Sequence, residues 1–171
     1  SDEIILAVLG NDVNLVDSDG NTPIHIAINN KASAQIISSL INLGYPVNRR
    51  NSLGLTPLTL AVKTKQIEIA KTLVEWGADP FITDNSGECA LTIAIDENPE
   101  ILNYIVQTNG NKKDMAGEGI LHYAARTANL ETIKKLISMG LDRNQKNISG
   151  ETPYDIAVRW QRDSDIIEAL K

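Results

Sequence analysis

Short helices arranged in repeated pairs are what this 171-residue chain encodes, and three regularities point to them. Glycines recur at Gly20, Gly54, Gly87, Gly117 and Gly150, in steps of 34, 33, 30 and 33 residues. An alanine stands seven residues after each: Ala27, Ala61, Ala94, Ala124 and Ala157. A second glycine series, Gly10, Gly44, Gly77, Gly110 and Gly140, precedes the first by ten residues, except before Gly117, where the gap is seven. Self-similarity at this period marks an all-α stack of copies rather than a globule with one interleaved core. The connector through Asn111 to Ala116 is therefore clipped by three residues, which predicts a notch in the row of connectors.

The first copy shows why each element forms. Asp17-Ser18-Asp19-Gly20 has turn composition; Thr22 caps a helix with its hydroxyl, and Pro23 suits the first helical position, where no amide bond is lost. Ile24, Ala27 and Ile28 keep the i, i+3, i+4 spacing of a helix, and Asn29, Asn30 and Lys31 end it. Ile36, Ile37, Leu40 and Ile41 then share a face of a second helix, which Gly44 terminates in a left-handed conformation. Two turns of helix do not stand alone in water, so each pair must lean on the copies before and after it.

These residues resemble the ankyrin-repeat family. The signature is carried by Thr22-Pro23-Ile24-His25-Ile26-Ala27 and Thr56-Pro57-Leu58-Thr59-Leu60-Ala61, with the helix end Leu73-Val74-Glu75-Trp76-Gly77-Ala78-Asp79. Degraded copies follow at Cys89–Ala94, Gly119–Ala124 and Thr152–Ala157. The resemblance implies one domain over residues 1–171: a solenoid of stacked antiparallel helix pairs with β-hairpin or loop fingers, its concave face made by fingers and first helices. A partial repeat falls at 1–16, and repeats fall at about 17–50, 51–83, 84–113, 114–146 and 147–171. Cys89-Ala90 and Gly119-Ile120 lack both the capping hydroxyl and the proline, so those helix starts are the weaker ones, by about 1 kcal/mol per cap. Ile4 to Leu9 matches the end of a second helix, with no polar cap before it. Continuation of the N-terminal end in a longer protein, or its cover by another chain, is therefore expected.

Composition narrows the function. The formal net charge is −6, with 9 acids and 6 bases in residues 1–85 and 13 and 10 in residues 86–171, so each half carries −3. A chain with 4% aromatics and no basic arm offers nucleic acid neither field nor stacking surface. No apolar run approaches the roughly 20 residues of a membrane helix, and the one cysteine, Cys89, precludes a thiolate zinc cluster. No cofactor, no metal and no membrane insertion are expected, and an intracellular, cytoplasmic monomer is the simplest reading.

The chemistry-bearing residues have structural explanations. His25 and His122 occupy the same place in two repeats, where the resemblance implies a histidine that hydrogen-bonds near its own threonine and steadies the loops; Thr59, Thr92 and Asp155 take that place elsewhere. Cys89 has no neighbouring base to activate it and reads as a small filler. Asp96-Glu97 and Asp163 with Asp165 fall at solvent turns, and Trp76 reads as packing over its helix end. No catalytic residue is expected.

Outward-facing apolar and cationic residues are the candidate partner contacts. Arg50, Ser52, Leu53 and Leu55 lie on one finger, Asn85 and Glu88 on the next, and Met115 and Ile148 on later ones. Lys63, Arg126 and Trp160 follow first helices, on the side expected to face the concavity. Leu53, Leu55 and Met115 are expected to supply apolar contact, while Arg50, Lys63 and Arg126 select an acidic feature. A non-catalytic module that binds another protein follows. The rival reading is the targeting or regulatory arm of a larger enzyme or bacterial effector.

Overall fold

The structure, a computed structural model, describes residues 12–171, which divide into two compact units between Ala90 and Leu91. The Ile4–Leu9 helix end expected from the sequence lies outside the described residues. Ten helices and no strand occur among the described residues, so the fingers are loops rather than paired hairpins.

The first unit holds α1 (Pro23–Asn29), α2 (Ala34–Asn42), α3 (Pro57–Lys63) and α4 (Ile67–Glu75). Proline opens α1 and α3, and the hydroxyl of Thr56 accepts the Thr59 amide at 3.1 Å. Helix α1 packs on its partner α2 and on α3, and α2 packs on α4, first helix against first and second against second. Ile24, Ile28, Ile37, Leu40, Leu58 and Leu73 are fully buried between them. Neither pair is long enough to bury such a face without the other.

The second unit comprises α5 (Ala90–Glu97), α6 (Pro99–Asn109), α7 (Ile120–Thr127), α8 (Leu130–Ser138), α9 (Pro153–Arg159) and α10 (Ser164–Leu170). Helices α7 and α8 pack on α9 and α10 in the same order. Leu91, Ile101, Ile105, Ile120, Ile133 and Ile156 form its core. Gly119 brings α7 no side-chain cap, as its sequence suggests. Arg162 ties the two pairs by donating to the carbonyls of Ala125 and Ala128, at 3.0 and 2.6 Å. In the first unit Gln66 does the same to Ile28, at 2.9 Å.

The clipped connector alters one helix end. Gly44, Gly77 and Gly140 sit at φ between 83° and 95° and stop their helices, whereas Gly110 keeps a right-handed φ of −53° and extends α6 to 11 residues. A Cβ on Gly110 would lie 2.7 Å from the Val106 carbonyl. An open hollow of about 440 Å³, lined by residues 106–112 and 139–141, lies at the C-terminal ends of α6 and α8 rather than between finger tips.

Candidate functional site

The fingers are built on one device. Three residues before each finger glycine stands Asp17, Asn51, Asp84, Asp114 or Asn147, and its Oδ1 accepts the amides two and four residues ahead, at 2.8–3.1 Å. The side chain thus mimics a turn carbonyl and fixes the loop. Turn composition marks only the first of these, at Asp17; the signal for the other four is their constant offset from the glycines.

Neighbouring fingers are stitched together. The Ser52 amide donates to the Asp19 carbonyl at 2.9 Å, that of Asn85 to Leu53 at 3.1 Å, and that of Ile148 to Ala116 at 2.9 Å. Gly54 sits at φ 79° in this seam, where a Cβ would fall 2.5 Å from Asn85 Oδ1 and 2.6 Å from an Arg50 nitrogen. The close approach and the left-handed backbone both require glycine there.

The histidines clamp fingers. The His25 Nδ1 accepts the Thr22 amide at 3.2 Å, and Nε2 donates to the Leu55 carbonyl of the next finger at 2.9 Å. His122 repeats this with Gly119 and Glu151, both at 3.2 Å. Burial, opposed by those carbonyls, lowers the pKa of both rings below the ordinary 6.5 and keeps them neutral. Thr59 and Asp155 fill the place by bonding to Thr56 and Thr152. Cys89 is fully buried, and the Trp76 indole donates to Ser38 at 3.3 Å. Among the described residues no three His, Cys, Asp or Glu gather as a metal site, and no helix is long and apolar enough to cross a membrane.

Three expected contact residues are exposed: Leu53 by 66%, Ile148 by 78% and Met115 by 100%. Ser52 and Asn85 are exposed beside Leu53, and Trp160 is 53% exposed at the end of α9. Leu55 departs from expectation: it is half-buried under the His25 clamp. Leu53, Leu55, Lys63, Asp84, Asn85 and Ser86 line a shallow hollow of about 390 Å³.

The expected cations are already paired. Lys63 bonds Asp84 at 2.8 Å and Glu88 at 2.9 Å, and these carboxylates raise its pKa. Burial disfavours the Asp84 charge, yet Lys63, the Ser86 hydroxyl and two amides outweigh it and hold the carboxyl well below its usual range. Arg126 pairs with Glu118 at 2.5 Å and lies over the Tyr123 ring at 5.2 Å. Arg50 donates to the Gly54 carbonyl at 3.1 Å and to Asn85 at 3.0 Å. Lys63, Arg126 and Arg50 thus brace the fingers, through partners that sequence spacing does not reveal.

Comparison with known proteins agrees with this geometry. The family model described as Ankyrin repeats (3 copies) matches residues 1–84 and 90–171. The chain is 36% identical over 154 residues to the B-cell lymphoma 3 protein homolog of Mus musculus, covering 84% of this chain and 34% of that protein. It is 30% identical to the nuclear factor NF-kappa-B p105 subunit of Gallus gallus, over 92% of this chain and 17% of that one. The chain thus spans about a third or less of the length of these curated relatives. Among solved structures, it superposes on the ankyrin repeat domain of Bcl-3 with TM-score 0.70 at 28% identity, covering 98% of this chain and 75% of the other. A chain of the complex of the predatory endopeptidase Bd0816 from Bdellovibrio bacteriovorus with immunity protein Bd3460 gives TM-score 0.65 at 26% identity, covering 98% and 89%. The recurrent glycines, the clamping histidines, the stacked helix pairs and these matches make the chain a member of the ankyrin-repeat family, a family of protein–protein interaction modules.

Proposed function

We propose that the chain is a non-catalytic module that binds a partner protein through its finger tips and the adjoining side of its first helices. The observation that carries this reading is the exposure of Leu53, Met115 and Ile148 on loops that hydrogen bonds hold rigid. Apolar side chains displayed on preordered backbone lose little entropy when covered, so a few anchors suffice for affinity. A second reading draws support from the short share of the relatives that is matched: the same surface acts as the targeting or regulatory arm of a longer enzyme or effector.

The test compares immobilised wild-type chain with the triple variant Leu53→Ser, Met115→Ser, Ile148→Ser in native lysate, scored by quantitative mass spectrometry. All three side chains are open, so the melting temperature should hold. A retained protein should fall about tenfold on the variant, equivalent to about 1.4 kcal/mol. Equal retention on both removes the fingers from consideration. Leu55 is left intact, because its half-buried position would mix a stability loss into the result.

A further inference from the structure

We propose that the fourth and fifth fingers form a docking face for a short acidic peptide segment carrying one apolar anchor. This rests on the protein-binding reading above and names its partner class. The two fingers lie side by side: the Ile148 amide bonds the Ala116 carbonyl at 2.9 Å, and Asn147 Nδ2 reaches Glu118 at 3.3 Å. Met115 and Ile148 project from their tips, 100% and 78% exposed, and give an anchor two apolar neighbours.

The charge around them is sorted by direction. Lys112 and Lys113 on the fourth finger, and Arg143 and Lys146 on the fifth, are all exposed. Three acids of the same fingers, Asp114, Glu118 and Glu151, are covered and engaged within the fold. Asp114 takes the Tyr123 hydroxyl at 2.8 Å and two of its own loop amides, Glu118 holds Arg126, and Glu151 holds Arg159 at 2.6 Å. Two acids nearby are exposed: Asp142 accepts the Asn144 amide, and Asp155 accepts the Thr152 amide and hydroxyl. Four exposed cations thus share two fingers with an exposed apolar pair, on a chain whose net charge is −6. A long polyanion or a charged bilayer would meet the repulsion of the whole molecule, whereas a short acidic segment meets the local field alone. The cations that select it are these four rather than Lys63 and Arg126, which are paired within the fold.

The experiment selects peptides on the whole wild-type chain from a random displayed library, then measures a synthetic consensus peptide in solution. Expected are sequences with one large apolar residue flanked by Asp or Glu, weakened about tenfold by Met115→Ser with Ile148→Ser, and again by Lys112→Ser, Lys113→Ser and Lys146→Ser. Raising the salt from about 0.05 to about 0.5 M should weaken binding in the wild type and much less in the lysine variant. Neutral or basic consensus peptides, or unchanged affinity in both variants, overturn the proposal. So does tighter lysine-dependent binding to phosphatidylserine vesicles, which assigns the face to lipid. Peptides lost with Leu53→Ser instead overturn the location and leave the protein-binding reading standing. If selection and lysate capture both return nothing, both readings fall.

Discussion

Lys63 in the first unit and Arg126 and Arg159 in the second occupy the same repeat position, two residues after the recurring alanine, yet they act differently. Lys63 reaches forward to Asp84 and Glu88 on the following finger, while Arg126 and Arg159 turn back to Glu118 and Glu151 on their own. The cause is one residue after the finger glycine. Glu118 and Glu151 stand there beside the arginines, but the finger preceding Lys63 has Leu55 in that place. Deprived of an acid at home, the ammonium bridges two repeats. With leucine in place of the acid, and Asp84 and Glu88 on the next finger, the cation becomes a tie between repeats rather than a brace within one.

Removing the acid should separate the two arrangements most. Asp84→Ala takes the acceptor from Lys63, the Ser86 hydroxyl and the amides of Ser86 and Glu88 at once, and should cost about 2–4 kcal/mol in denaturant unfolding. Hydrogen exchange should rise in the third finger and at Lys63 together. If the loss stays below about 1 kcal/mol, the bridge is no more than a surface ion pair.

The histidine clamps differ from the Thr59 and Asp155 versions in their pH response. Both folded-state pKa values lie below the unfolded 6.5, so the unfolded chain takes up protons first as pH falls. Their contribution is complete above about 6.5 and is lost as pH drops from there through the lower folded values. The carboxylates Asp17, Asp84 and Asp155, lowered from 3.8, respond only in a more acid window. Replacing His25→Thr, the residue the second repeat uses at Thr59 opposite Thr56, should flatten the loss of stability as pH falls below about 6.5 while keeping the fold. An unchanged slope would show that other groups titrate there. The smallest effect belongs to Arg159→Ala: its side chain is 54% exposed, and melting should move by less than about 0.5 kcal/mol in equivalent stability.

Much of this was legible in the chain. The glycine and alanine series mark the five helix pairs of the described residues, Thr22-Pro23 and Thr56-Pro57 mark helix starts, and His25 and His122 share a register and a structural role. The Asx residues behind the fingers were equally available, since they keep a constant distance from the glycines. Leu55 and the paired cations were not. Whether Leu55 is covered depends on a carbonyl meeting a ring 30 positions away, and whether Lys63 is free depends on an acid 21 positions away.

Local propensity and periodicity act over a few residues, so the sequence alone determined the helix pairs, their number and their repeat-to-repeat matching. Which side chains stand open and which charges are spent inside the fold follow from distances between fingers set by stacking. Electrostatic and hydrogen-bond energies depend on those distances and on exposure to water, and so only the tertiary structure separated the braces from the exposed tips.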